Sequence, residues 1–340
     1  MIMHRMGFTK GPSAPSVSEL EAYEKLFGGD LTVSEAEALD ELFPAVSRVC
    51  HLLWRVQNHR ARISYLVRST IGMDDAQGYQ EGDDHDLVLQ KQEWIKTQDM
   101  LKSKLILEDE FARSLPSVGS GSDEHESCKL KYIGGTDISF LKEDPATACA
   151  AVVVLNADTL EVVHEEFNVV RLQVPYIPGF LAFREAPILL GLLKKVKINA
   201  PHFYPQLLMV DGNGLIHPRG FGLACHLGVL ADVPTIGVGK NLHHVDGLNQ
   251  SEVRRLLESK ENCNKELILL TGQSGTKWGM ALLSCPGSSK PIYVSVGHRI
   301  SLDSATEIVK SCCKYRVPEP TRQADIRSKA FLQKLQKPRQ

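Results

Sequence analysis

Three acids between residues 137 and 211 stand where an acid is poorly suited to a purely structural role. Asp137 follows Gly134-Gly135 in a strand-like run and lies between Ile133 and Ile138. A carboxylate is poor strand material there, and burying one without a partner is costly. Asp211 closes the uniformly apolar run Leu207-Leu208-Met209-Val210 and opens the turn Asp211-Gly212-Asn213-Gly214. That is the carboxyl end of a strand covered on both faces, where open α/β sheets collect ligands. Glu185 shares the i, i+3, i+4 stripe of Leu181, Ile188 and Leu192, which points it to the apolar side of a helix. Two strands and a helix carrying three acids suit Mg²⁺, a hard cation that takes a few carboxylates and leaves positions for water and phosphate oxygens. One or two ions fit such a set.

Each acid also has a structural alternative. Asp-Gly is common turn chemistry, and Asp137 suits an exposed strand face as well as a buried one. Pro187 can begin the helix, which would leave Glu185 near an N-terminus where the helix dipole alone favours an acid.

The elements that must position these acids are legible from spacing. Tyr132 to Phe140, Ala148 to Leu155 and Val162 to Val170 read as three successive antiparallel strands. Strands then alternate with helices: strand Gln206 to Val210, helix Phe221 to Leu230, strand Thr235 to Val238, strands Trp278 to Leu283 and Ile292 to Val296, and helix Leu302 to Lys314. The domain is therefore mixed α/β. Upstream, Ser16-x-x-Glu19 and Thr32-x-x-Glu35 have capping-box spacing, and Pro44 can open a helix running to about Thr70. The stretch 72 to 86, with three glycines and five aspartates, reads as a linker. The expected organisation is a helical appendage and acidic linker over 1–86, a catalytic domain over 87–327 with a helix at Leu87 to Leu105, and a basic tail over 328–340.

Composition narrows the class. A chain of 340 residues, 43% hydrophobic, buries a full core. No stretch approaches the roughly 18 to 20 apolar residues of a membrane-spanning helix, and the opening lacks a signal-peptide apolar core. The expectation is a protein inside the cell, without a membrane partner and monomeric, in cytoplasm and nucleus with the nucleolus as an open option. Eight cysteines with no C-x-x-C pair fit a reducing compartment and not a zinc site. The net charge of −2 leaves any nucleic-acid contact to local basic surface, the basic C-terminal stretch included.

The motifs themselves resemble the endonuclease V family: Gly134-Gly135-Thr136-Asp137-Ile138-Ser139-Phe140, then Pro175-Tyr176-Ile177-Pro178-Gly179-Phe180-Leu181-Ala182-Phe183-Arg184-Glu185, then Val210 to Gly214. The resemblance continues through His217 to Gly222, Ile236 to Lys240 and Ser295 to Arg299, covering roughly residues 90 to 327. It implies an RNase H-like mixed sheet flanked by helices, and Mg²⁺-dependent cleavage, with Mn²⁺ as a workable substitute. The implied cut is at the second phosphodiester 3′ to inosine, leaving 3′-hydroxyl and 5′-phosphate ends.

By that resemblance Asp137 and Asp211 ligate the metal, while Glu185 completes the site and helps generate the attacking hydroxide. Lys240 then neutralises the transferring phosphate or positions water, and His298 orients a ligand or moves a proton. Pro175, Tyr176, Ile177, Pro178, Gly179 and Leu181 form a stiff loop that wedges into the base stack. Gly212, Asn213, Gly214, Gly220 and Gly222 let backbone approach the flipped base. Gly239-Lys240-Asn241 departs from the family's more usual Ala-Lys-Lys, which puts one phosphate contact in doubt. The segment Cys312 to Pro320 looks like the animal branch, so the expected partner is inosine-containing single-stranded RNA. DNA with deaminated bases is the second reading, and an inosine-binding module without cleavage the third.

Overall fold

The computed structural model describes residues 80–110, 130–172, 174, 177–258, 266–285, 288 and 290–336, with side chains from residue 88 onward. The helical appendage expected over the first 70 residues lies outside them. The chain divides into the units Met1–Leu87 and Val88–Gln340, and the second holds the sheet and the acids.

The centre of that unit is one eight-stranded sheet in the order β3-β2-β1-β4-β5-β8-β7-β6. Strands β1 (Tyr132–Phe140), β2 (Thr147–Asn156) and β3 (Val162–Arg171) form the antiparallel meander read from the sequence. Chain direction then changes: β4 (Leu207–Asp211) runs parallel to β1, and β5 (Thr235–Gly239) parallel to β4. Each parallel connection needs a crossover element, supplied by helix α2 (Leu181–Asn199) and helix α3 (Leu223–Ala231). Antiparallel pairing returns with β8 (Ile292–His298), β7 (Lys277–Leu282) and β6 (Leu267–Thr271).

Period-two alternation separates the two faces of this sheet. Ile236 and Val238 join Ile133, Met209 and Val294 in a buried cluster with Ala305 and Ile308 of helix α5 (Leu302–Ser311). Thr235 faces the other way, and its hydroxyl donates to the Ala224 carbonyl of α3 at 2.8 Å. Helix α6 (Glu319–Gln336) lies across β1 and β2, where Ala324 packs with Ala151, Val153 and Leu155. The fit depends on Gly135, because a Cβ there would stand 1.9 Å from the Pro320 carbonyl oxygen.

Helix α1 (Gln80–Lys102) fastens the front of the domain. Its Trp94, 2% exposed, stacks on Phe183 of α2 with ring centroids 4.9 Å apart. One turn on, Gln98 donates to the Phe221 carbonyl at 2.8 Å and Lys102 to the Arg219 carbonyl at 2.8 Å. A remaining helix, α4 (Gln250–Glu258), lies beside β6.

Three details differ from the sequence reading. Helix α1 begins at Gln80, inside the stretch read as linker, since extending a formed helix costs far less than nucleating one. Helix α6 runs to Gln336, so residues 328–336 are helix and not tail; burial of Thr321, Ala324, Ser328 and Leu332 along one stripe holds it down. Elements α4 and β6 were not anticipated. Among the described residues no helix is long and apolar enough to cross a membrane.

Candidate functional site

The parallel register of β1 and β4 builds the site. Thr136 pairs with Val210, so the next residues along, Asp137 and Asp211, come side by side at the carboxyl end of β4, and their carboxyl groups share a hydrogen bond. Asp137 is 8% exposed. Burial, then the charge of Asp211 and that shared bond, then Asp325, raise its pKa to about 7 against the opposing Ser139 hydrogen bond.

Two hydroxyls meet the same oxygen. Ser139 Oγ and Ser328 Oγ lie 3.0 and 3.1 Å from Asp137 Oδ2, and 2.7 Å from each other. Ser328 comes from α6 and is fully buried, so the helix seated on Gly135 also fixes the rotamer of this acid.

Glu185 sits in the second turn of α2, because the helix begins at Leu181 and carries Pro187 inside it. Its burial therefore reflects packing and not a place at the helix N-terminus. Burial raises its pKa to about 7, opposed by Arg184 and reinforced by the charges of Asp137 and Asp211. Glu185 thus feels the charge of both aspartates. Accordingly no group of three His, Cys, Asp or Glu is drawn into ligating positions among the described residues.

Lys240 follows β5 and donates to Asp211 Oδ2 at 2.5 Å. Burial pulls its pKa down, but the charge and hydrogen bond of Asp211, with Asp137 and Asp325 behind, outweigh that and leave it raised. One ammonium therefore faces several acids. An all-oxygen donor set in which burial and neighbouring acids raise the pKa of Asp137 and Glu185 is the chemistry a hard divalent cation relieves, so the residues fit such an ion.

Two functional residues were missed in the sequence. Asp325 sits on α6 with its side chain 28% exposed and its Oδ1 2.6 Å from Lys329, and its charge reaches both Asp137 and Lys240. Ser328 lies three residues further along the same helix. The signal was the 321-324-328-332 stripe, which shows a packed helix where composition alone suggests a tail.

His298 does not join the cluster. It pairs with Thr235 at the start of β5, whereas Asp211 pairs with Val238, so three residues of strand, roughly 10 Å at 3.3 Å per residue, separate them. It is 2% exposed, and its Nδ1 accepts from the Ile106 amide at 3.3 Å. Burial and Arg299 lower its pKa, against Asp232 and Glu110. It fastens the segment after α1 to the far end of the sheet.

The amides of Gly212, Gly214, Gly220 and Gly222 donate to Val238 O, Ser295 Oγ, His217 O and Gly214 O. A Cβ at Gly214 or Gly222 would strike backbone oxygen at 2.0 or 2.2 Å; these glycines serve close packing. Asn213 differs: its side-chain Oδ1 is buried without a partner.

In the loop before α2, Pro175 and Tyr176 lie outside the described residues. Ile177 is half-buried, Pro178 exposed, and Leu181 half-buried as the first residue of α2. Gly179 adopts φ +83° with nothing within 4 Å of where a Cβ would stand, a left-handed turn that aims the chain into α2.

A mixed sheet in this strand order, flanked by helices and with acids on its first and fourth strands, is an RNase H-like fold. The endonuclease V family model matches residues 117–326. Human endonuclease V is 45% identical over 245 residues, covering 71% of this chain and 83% of its own. A crystal structure of the human protein superimposes with a TM-score of 0.62 at 44% identity, over 71% of this chain and 98% of that one. The Ciona intestinalis endonuclease V, solved with a 23mer DNA containing an inosine followed by a ribo-adenosine, matches at TM-score 0.65 and 34% identity, over 73% and 98%. This chain belongs to the endonuclease V family.

Proposed function

We propose that the chain is a Mg²⁺-dependent endoribonuclease that cuts inosine-containing RNA at the second phosphodiester 3′ to inosine, leaving 3′-hydroxyl and 5′-phosphate ends. The observation that carries this reading is the cluster of Asp137, Asp211 and Glu185, two of them held near pH 7, in a chain of this family. Asp137, Asp211 and Glu185 would hold the cation, with Mn²⁺ as a substitute, and Asp325 stands close enough to add its charge. When bound, the cation supplies charge stabilisation at the phosphate and acidifies water.

The chain's own residues do the rest. Glu185 takes a proton from the attacking water, a role suited to a carboxylate whose pKa lies near working pH. Lys240 leaves its ion pair with Asp211 available to the anionic phosphate, where a compact ammonium offsets charge gathering in the transition state. Ser139 and Ser328 keep Asp137 turned toward Asp211. The loop Pro175 to Gly179 enters the base stack beside the inosine.

Two observations support a ribonucleotide preference: the animal-type segment Cys312 to Pro320, and the ribo-adenosine placed after inosine in the Ciona complex. The same complex is otherwise DNA, which favours inosine-directed DNA incision as the second reading. Matched inosine and adenosine oligonucleotides, as RNA, as DNA and as DNA with one ribonucleotide after the inosine, distinguish them with and without Mg²⁺. Cleavage confined to strands with the ribonucleotide supports the endoribonuclease; equal cutting of all-DNA supports the repair reading. Tight binding without cleavage would make the chain a binding module. For location we propose cytoplasm and nucleus, tested by imaging the tagged full chain.

A further inference from the structure

The geometry points to Arg316 as a positioning residue for Lys240, an inference that rests on the functional reading above. The last rung between β5 and β8 is Gly239 with Tyr293. Beyond it Lys240 leaves the sheet, after a Gly-Val-Gly run with little intrinsic stiffness. Arg316, half-buried in the connection between α5 and α6, completes what the strands do not. Its NH2 donates to the Lys240 carbonyl and to the Pro291 carbonyl, both at 3.0 Å, and its Nε donates to the Lys290 carbonyl at 3.1 Å. The Arg316 carbonyl in turn accepts from Ser284 Oγ at 2.6 Å.

The guanidinium is therefore an added rung that joins the exit of β5 to the entry of β8. A planar fork with several fixed donors holds three main-chain carbonyls in a defined orientation, which an ammonium on a flexible stem does less firmly. The backbone so fixed is that of the residue whose ammonium reaches Asp211 at 2.5 Å. The hydrogen bonds of the Arg316 guanidinium reach main-chain carbonyls and not the acids, so its route to Asp211 runs through the backbone of Lys240.

The test is a double-mutant cycle on an inosine-containing RNA, using Arg316→Gln and Arg316→Lys in wild-type and Lys240→Gln backgrounds. Since misplacing a catalytic group by about 1 Å costs up to about a hundredfold, R316Q is expected to lower kcat roughly ten- to hundredfold with KM within about twofold. In the K240Q background the same change is expected to cost nothing further, and R316K to restore only part of the loss. An equal fold-loss in both backgrounds, or a loss confined to KM, overturns the proposal.

A readout that needs no substrate runs beside it. In metal-free full-length protein, acylation of Lys240 is followed by peptide mass spectrometry relative to exposed Lys104. R316Q is expected to speed Lys240 labelling several-fold, because the ammonium is no longer held on Asp211; an unchanged ratio counts against the proposal. If wild type cuts no inosine strand, the functional reading fails while the labelling ratio still decides the role of Arg316. Should R316Q melt early, R316K carries both measurements.

Discussion

At Glu185 burial and two neighbouring acids raise an ordinary carboxyl to about 7 in the metal-free protein, where Asp137 stands near the same value. A general base works deprotonated, so the rate climbs as pH rises through its titration. Glu185→Gln is expected to lower kcat roughly 10²- to 10⁴-fold and to flatten that acid limb. A pH-rate profile for E185Q that keeps the wild-type limb would move the base elsewhere. Ser328 makes a smaller claim. Ser328→Ala removes a buried hydroxyl from Asp137 Oδ2, and urea titration should register a loss of about 1 kcal/mol. Activity should fall with it, since Asp137 Oδ2 loses one of the two hydroxyls that hold it.

Between elements, the decisive contact is α6 on β1. Gly135→Ala inserts a methyl carbon where the Pro320 carbonyl already stands, so the start of α6 must lift and draw Ser328 and Asp325 away from Asp137. Overpacking of this kind costs about 1–3 kcal/mol. The expected result is a lower melting temperature together with lost cleavage, and a G135A protein with wild-type kcat would show that α6 does not set the site.

Helix α3 offers the opposite case. His226 is fully buried, with both ring nitrogens lacking a hydrogen-bond partner, and burial lowers its pKa to about 3. The native state thus favours the neutral ring. That contribution is complete above the unfolded value of about 6.5 and is lost as pH falls from there toward 3. His226→Leu keeps the contact with Phe183 apolar and removes two unsatisfied nitrogens, so it should raise stability. The gain over wild type should widen as pH drops from 7 to 4; a gain independent of pH would show that the ring is not the titrating group.

For the molecule as a whole, the acid cluster means that stability and function pull against each other. Asp137 and Glu185 both have native pKa values near 7, raised from 3.8 and 4.5. Raised native values stabilise the fold fully below about pH 4, and that stabilisation is lost as pH rises through 7. Metal-free Asp137→Asn should therefore melt with wild type near pH 4 and increasingly above it by pH 8. Each unit of relieved shift is worth about 1.4 kcal/mol. Millimolar Mg²⁺ should raise the wild-type melting temperature at pH 8 and narrow the gap. A gap that closes as pH rises, or wild type unresponsive to divalent cations, would contradict the proposed cation site.

Much of this architecture is written locally. Alternating or continuous apolar runs mark β1 to β5, β7 and β8 because side-chain period follows backbone geometry, and the motif residues identify the family because their order along the chain is itself the signal. Asp137, Glu185 and Asp211 are legible for the same reason. Other features depend on contacts between distant segments. Sequence spacing does not place His298 opposite Thr235 instead of Val238; the antiparallel register of β5 and β8 does, and it removes His298 from the acids. The amides of the glycines after Asp211 find their acceptors on β5, on β8 and in the loop before α3, pairings that no local pattern shows.

Residues 328–336 read as a solvated basic tail by composition, yet α6 is held against the sheet by a stripe that only finds its partner once Gly135 has made room. Asp325, Ser328 and Arg316 follow from that docking. The sequence by itself determined the family and the strands β1 to β5, β7 and β8, since motif order and side-chain period are local. Only the tertiary structure decided which groups face one another, because burial, register and close packing join residues up to 195 positions apart.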